Sequence, residues 1–158
     1  MRSLRKIARE PGAELVEIPV PSPREDEVLV KVHGASICGT DLHIYDWNEW
    51  ADKRIPQIPM TFGHEVAGTV VAVGEEVHHL TEGVFVAAES HIACGHCSTC
   101  QTGRAHICEN LQILGVDIDG VFAEYVVVPS QNAWIVGEGI EPDVASIMEP
   151  FGNAVRGR

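Results

Sequence analysis

The feature that most constrains this chain is a run of four cysteines, Cys94, Cys97, Cys100 and Cys108, spaced C-x2-C-x2-C-x7-C. Thiols this close together, with Gly95 and Gly103 letting the backbone turn between them, are placed to converge on one metal ion. Zinc takes a closed tetrahedral thiolate shell, with bonds of about 2.3 Å, in sites that hold a loop together and leave no position open for chemistry. An iron–sulfur cluster is the competing occupant, because C-x2-C-x2-C also opens the bacterial ferredoxin pattern. That pattern continues with a three-residue gap and Cys-Pro, whereas here seven residues intervene and Glu109 follows Cys108, which favours zinc. A fifth cysteine, Cys38, lies far upstream, and the odd total of 5 argues against a disulfide framework. The basic start (Arg2, Arg5, Lys6, Arg9) is not followed by an apolar h-region, so the thiols point to a reducing, cytoplasmic setting. His91, His96 and His106 share the lobe, but four thiols already fill the shell. Exposure or local hydrogen bonding is the expectation for each, with His91, beside Glu89, the one of interest.

The rest of the chain is expected to form one domain. A length of 158 residues suits a single core, and 45% hydrophobic with 22% charged residues is an ordinary globular balance. No apolar run reaches the roughly 18–20 residues of a membrane span, so no membrane association is expected. The formal charge of −12 is opposite to what a phosphate-binding surface needs, which excludes nucleic acid as a partner and leaves a solvated acidic surface. Strand signals dominate. Glu27–His33 places Val28, Val30 and Val32 on one face, and Val66–Val73 and Phe122–Val128 are β-branched runs bounded by glycine or proline. Val84–Ala88 and Ala133–Val136 are shorter candidates. A short helix is expected soon after Cys38, and another from Pro142 through Met148, with proline at its first position. The architecture implied is mainly β, a barrel or sandwich whose long loops hold the cysteines and histidines.

A second constellation lies outside the lobe. Ile37-Cys38-Gly39-Thr40-Asp41-Leu42-His43 follows directly on one strand, and Gly63-His64-Glu65 opens another. A thiolate, an imidazole and a carboxylate are the ligand types of a catalytic zinc that keeps one position open. A lone cysteine is usually a small core residue, so it is the pairing of the two motifs that points to a site. Tyr45, Trp47 and Trp50 lie near it and are expected to pack under the barrel rather than line an entrance. His78-His79 reads as a solvated pair, and Asp117 and Asp119 as the flanks of a turn without a constellation of their own.

Taken together, C-G-T-D-x-H, G-H-E and the four-cysteine lobe resemble the zinc-dependent medium-chain alcohol dehydrogenases. The fuller wording ICGTDLHIYDWNEW, ESHIACGHC, ILGVD, FAEYVVVP and EPFGNAV is similar to the L-threonine-oxidising branch of that family, from about Leu4 to Val155. The resemblance implies a GroES-like β-barrel catalytic domain over residues 1–158, with a structural-zinc lobe at 91–110. It implies two zinc ions: a catalytic one held by Cys38, His64 and Glu65, and a structural one held by Cys94, Cys97, Cys100 and Cys108. Thr40 and His43 would relay a proton toward solvent, and Glu149 would assist close to the metal without necessarily ligating it. The implied reaction oxidises L-threonine to 2-amino-3-oxobutanoate and passes hydride to NAD+, in a parent enzyme that is a homo-oligomer, commonly a tetramer.

Three departures qualify the resemblance. No G-x-G-x-x-G occurs, Gly137-Glu138-Gly139 being a turn, so the dinucleotide-binding (Rossmann) domain is expected to be missing and the chain to be the metal-bearing part of a longer dehydrogenase, inactive alone. Gly83-Val84-Phe85-Val86 lacks the Gly-Asp and basic residue common at the turn before the lobe, and Arg156-Gly157-Arg158 replaces residues expected to continue a helix. Competing functions are another polyol or secondary-alcohol dehydrogenase, a non-catalytic GroES-like zinc module, and an iron–sulfur carrier.

Overall fold

The computed structural model describes residues 1–156. Its framework is a five-stranded antiparallel sheet, curled into a half-barrel. The strands are β3 (Glu27–Ser36), β5 (Glu65–Val73), β6 (Phe85–Ala88), β9 (Tyr125–Pro129) and β10 (Ala133–Ile135), in the order β10-β6-β5-β3-β9. A three-stranded sheet packs beside it, with β1 (Arg2–Lys6) between β2 (Glu14–Glu17) and β4 (Met60–Thr61). The pair β7 (His91–Ile92) and β8 (Gln112–Ile113) closes the base of the cysteine lobe, which holds α3 (Ser98–Gln101) and a 3-10 turn at Ala105–Ile107. Helices α1 (Gly39–Asp46) and α2 (Glu49–Arg54) follow β3, and α4 (Pro142–Ser146) and α5 (Met148–Arg156) end the described chain.

The β-branched runs form the core as their alternation requires. Val28 and Val30 of β3, Val66 and Val70 of β5, Val86 of β6, and Val126 and Val128 of β9 are all buried in one cluster. A second cluster gathers Ile44 and Ala51 of the first two helices with Ile55, Met60, Phe62 and Val116, and Phe62 meets Phe122 edge-on at 5.1 Å. The expected strand at Phe122–Val128 begins only at Tyr125. Before it, Gly120, Val121 and Phe122 hydrogen-bond to the carbonyls of Thr61, Gly63 and Phe62 instead of entering the sheet. Pro142 opens α4 as expected, and the apolar residues after it continue into the separate helix α5. The turn at Gly83 forms with a positive φ of 88°, and Gly83 donates its N–H to Val70, so the unusual wording there leaves the strand intact. Of the terminal Arg156-Gly157-Arg158 departure, Gly157 and Arg158 lie outside the described residues.

Two expectations about polar and aromatic residues are corrected. Trp47 does pack against the second cluster, but Tyr45 and Trp50 are exposed, because only one face of α1 and α2 meets the core. Asp117 and Asp119 are structural anchors. Asp117 accepts from both terminal nitrogens of Arg54, at 2.5 and 2.7 Å, and from the Ile113 N–H, whereas Asp119 accepts from Arg5 and from the Thr61 N–H. The N-terminal hairpin is held by Lys6, fully buried beneath Trp47, which donates to the carbonyls of Glu10, Gly12 and Tyr45. Burial pushes the Lys6 ammonium below its ordinary pKa, against the opposing pull of Glu10 and Asp46.

Gly115 makes one of the tightest backbone contacts. It sits at φ +72°, and a Cβ there would come within 2.1 Å of the Gly63 carbonyl oxygen. Gly115→Ala is therefore expected to cost about 2 kcal/mol or more in urea unfolding. The Arg54 guanidinium holds the Asp117 carboxyl below its usual range, so its contribution is present above the unfolded carboxylate pKa and fades as pH falls through the lower folded value. Asp117→Asn should cost about 1–3 kcal/mol at neutral pH and flatten that acid limb, as read by unfolding across pH.

Candidate metal centres

The first centre is built by the β3–β5 ladder. Ser36 pairs directly with Glu65, so the chain leaving β3 carries Cys38 over the start of β5, where His64 and Glu65 stand. Cys38 caps α1, and its N–H donates to Asp41 Oδ2 at 2.8 Å. One ligand atom each from Cys38, His64 and Glu65 lies within 4.8 Å of the others. His64 and Glu65 are 7% and 5% exposed. The His64 ring is oriented on both sides, with Nε2 at 3.9 Å from Glu65 Oε1 and Nδ1 at 3.5 Å from Asp41 Oδ1.

The residues present fit a divalent cation. Asp41 and Glu65 are buried carboxylates, and among the described residues neither pairs with a lysine or arginine. His64 Nδ1 and Asp41 Oδ1 are both shut from solvent without a hydrogen bond at ordinary length. A metal-ligating imidazole characteristically turns its second nitrogen to a carboxylate, and Asp41 occupies that place. Sulfur, nitrogen and oxygen donors in one set suit zinc. Without a metal, desolvation opposes the charged His64 ring, but Asp41 first and Cys38 second outweigh it and raise the pKa to about 9.

Thr40 lies beside Cys38, the sulfur and hydroxyl 3.9 Å apart. His43, one turn further along α1, is exposed, contacts Asn48 Nδ2 through Nδ1 at 2.7 Å and tilts against Trp50 at 5.8 Å. Glu149, on the first turn of α5, does not join the Cys38 group. It gathers instead with Glu89 and His91, again within 4.8 Å, and its side chain is 5% exposed. His91 Nδ1 is 2.8 Å from Glu89 and 3.6 Å from Glu149, and Glu89 chiefly raises its pKa while the nearby charge of His64 lowers it.

The second centre is the four-cysteine lobe. The four sulfurs lie within 4.8 Å of one another, with Cys97 3.4 Å from Cys100 and 3.8 Å from Cys108. These separations exceed a disulfide's roughly 2.05 Å and approach the spacing of about 3.8 Å between corners of a zinc–thiolate tetrahedron. Gly95 and Gly103 turn with φ of +76° and +75°. Backbone N–H groups of Cys94 and Asn110 donate to Cys108 Sγ, each at 3.3 Å. The Thr99 hydroxyl, with backbone donors, brings Cys97 down to about 5, whereas desolvation and the shared contact with Cys97 push Cys100 up to about 12. His96 bonds the Cys94 carbonyl, and His96 and His106 are exposed, outside the sulfur cluster. His78 and His79 are exposed, as expected.

The sequence reading missed Asp41 and Ser90. Asp41 was legible as an acid three residues after Cys38, at a helix start. Ser90 left no signal beyond its place between Glu89 and His91. A cavity of about 660 Å³ lies elsewhere, between Arg5, Ile18, Pro21, Tyr125 and Val127, and contains none of the metal-ligand candidates.

A half-barrel with a cysteine lobe and a mixed-donor cluster at the end of its central ladder defines a class of domain. Residues 24–138 match the alcohol dehydrogenase GroES-like domain, and the chain belongs to that family. Among curated relatives, it is 54% identical over 155 residues to the L-threonine 3-dehydrogenase of Pyrococcus furiosus, covering 98% of this chain and 44% of the relative. It is 53% identical over 155 residues to that of Bacillus licheniformis, with the same coverage. The chain thus spans less than half the length of these relatives. Galactitol-1-phosphate dehydrogenase from Escherichia coli superposes with a TM-score of 0.89 at 28% identity, over 98% of this chain and 43% of that one. The cobalt- and zinc-bound alcohol dehydrogenase of Pyrobaculum aerophilum gives 0.83 at 30% identity, over 94% and 44%. An alcohol dehydrogenase of Escherichia coli CFT073 complexed with NADH gives 0.86 at 38%, over 98% and 44%.

A cation entering the Cys38 centre must displace the proton on His64. Apparent zinc affinity at this centre should therefore rise with pH up to about 9, with proton release on binding. The metal-free fold gains stability from the same proton, fully below the ordinary value of 6.5 and lost as pH rises through about 9. Calorimetric titration in buffers of differing ionisation enthalpy checks the first, and unfolding of the metal-free chain checks the second.

Proposed function

We propose that this chain is the metal-bearing catalytic part of an NAD-dependent oxidoreductase that converts L-threonine to 2-amino-3-oxobutanoate. The observation that carries the reading is the Cys38–His64–Glu65 set, its imidazole and carboxylate buried, with Asp41 behind the imidazole. Residues 1–158 act as one GroES-like domain with its lobe at 91–110. Cys38, His64 and Glu65 hold a catalytic zinc, and Cys94, Cys97, Cys100 and Cys108 hold a structural one. A zinc ion at the first centre supplies Lewis-acid polarisation of a hydroxyl oxygen. Asp41 fixes the ring orientation of His64 and the start of α1 together, so the ligand set is organised before any ion arrives.

The remaining residues manage the proton. Thr40, beside Cys38, accepts the proton leaving the substrate hydroxyl while giving up its own toward solvent, and the imidazole of His43, one turn on and exposed, receives the released proton and passes it out. Glu149 supplies a nearby carboxylate, held off the ligand set by its own contacts. NAD+, the hydride acceptor, binds to a nucleotide domain such as the longer relatives have room for. The parent works as a homo-oligomer, a tetramer, in the cytoplasm, on a small amino alcohol and not on nucleic acid. Among the described residues, no helix is long and apolar enough to cross a membrane.

Purified from zinc-supplemented culture, the 158-residue chain should carry two zinc ions by elemental analysis and show no turnover with L-threonine and NAD+. Cys38→Ser should lose one ion and keep its far-ultraviolet circular dichroism, whereas Cys100→Ser should lose the other and loosen the lobe. One ion or none in the parent chain would overturn the catalytic reading, and equal zinc content in Cys38→Ser would support a non-catalytic zinc module.

A further inference from the structure

Glu149 presents a problem of restraint. It is a carboxylate with a flexible stem, 5% exposed at its side chain, set against His91, a ring close enough to feel the charge of His64 in a three-ligand cluster that has a coordination position to spare. Carboxylates are good zinc ligands, and an intramolecular one acts at a high effective concentration. Yet its oxygens group with Glu89 and His91 rather than with Cys38, His64 and Glu65. Something must hold it there.

The contact that does so is Ser90. Its hydroxyl donates to Glu149 Oε1 at 2.7 Å, and Ser90 itself is 1% exposed. Ser90 lies in the link between β6 and β7, where its carbonyl accepts the Leu114 N–H at 3.0 Å, so it has little freedom to follow a moving partner. The same hydroxyl is 3.2 Å from His91 Nδ1, which itself stands 3.6 Å from the same Glu149 oxygen. A short bond from a buried, strand-anchored donor is the kind that fixes a carboxylate's orientation. His91 is half-exposed and is itself engaged by Glu89 at 2.8 Å, which leaves Ser90 as the fixed member of the group.

We infer that Ser90 is a positioning residue whose hydroxyl holds Glu149 off the Cys38–His64–Glu65 metal and so keeps the fourth coordination position open to an exogenous oxygen or nitrogen ligand. The inference rests on the proposed metal-binding role of that triad. It goes further in giving a function to a serine that neither spacing nor ligand chemistry singles out. Without the hydroxyl, Glu149 is free to swing into the vacant position and compete with whatever ligand approaches.

The test uses the 158-residue chain loaded with cobalt(II), whose visible bands report coordination, and subtracts the Cys38→Ser spectrum to remove the contribution of the four-cysteine lobe. Imidazole is the probe ligand. Unmodified chain should bind it with a clear shift of the difference spectrum. Ser90→Ala should show an altered difference spectrum before imidazole is added, and bind the probe roughly tenfold more weakly. Ser90→Thr, which keeps the hydroxyl, should behave as the unmodified chain. The double variant Ser90→Ala with Glu149→Gln should restore imidazole binding, a recovery that a merely structural effect of Ser90 would not produce. Ser90→Gly gives a second route to the same loss should alanine not be tolerated.

A cobalt spectrum and imidazole affinity unchanged in Ser90→Ala, or a weakening that Glu149→Gln fails to reverse, would overturn the inference while leaving the metal reading intact. A difference spectrum already absent in the unmodified chain would instead overturn the metal reading itself.

Discussion

The structure depends on the register between β3 and β5. Eight residue pairs join the two strands, from Val28 opposite Val73 to Ser36 opposite Glu65, with shifts at Leu29/Val30 and Val32/Gly34. Because side chains alternate in and out along a strand, a slip of one residue would turn the inner valines to solvent and swing Glu65 to the other face. The buried positions Val28, Val30, Val66 and Val70 therefore do more than fill a core. They fix the end of the ladder at which Cys38 meets His64. The Cys38–His64–Glu65 cluster is located by hydrophobic burial some distance from it, and its members need only be the right chemistry at the right end.

Two centres in one domain solve two electrostatic problems. In the lobe, sulfur charge is distributed among thiols and backbone N–H donors on short turns, and the small local core makes a metal the natural cross-link. At the Cys38 centre, the surroundings are already a folded barrel, and the carboxylates outnumber the fixed cations. Asp41 and Glu65 face one imidazole, while Glu89 and Glu149 face another. Such an arrangement favours a bound cation and discourages further anions. The strongly acidic chain as a whole, at −12, extends the same bias to its surface.

Much of this was written in local sequence. The four-cysteine spacing, the C-G-T-D-x-H and G-H-E motifs and the β-branched runs each carry their own physical reason, and the structure brings the corresponding residues together. What stayed hidden has equally particular causes. The N-terminal strand Arg2–Lys6 buries Ser3 on one face and Lys6 on the other, so the apolar alternation that advertises a strand is missing, and both buried positions are satisfied by hydrogen bonds. The late start of β9 depends on Phe62 and Gly63, nearly sixty residues away, which capture the preceding backbone. Tyr45 and Trp50 resemble core residues by type but lie on the outer side of short helices. Asp117 and Asp119 looked like turn residues because their arginine partners, Arg54 and Arg5, are remote in sequence.

The close approach of Gly63, Gly115 and Gly120 has a bearing on how such a domain can diverge. The two later glycines meet the Gly63 carbonyl main chain to main chain, and Val121 donates its N–H to the same oxygen at 3.0 Å. The residue just ahead of the His64 imidazole is thus braced by peptide groups, which do not vary when side chains are exchanged. Valines of the barrel can be traded for other apolar residues, and the interior re-sorted over many generations, while the anchor point of that imidazole stays where it is.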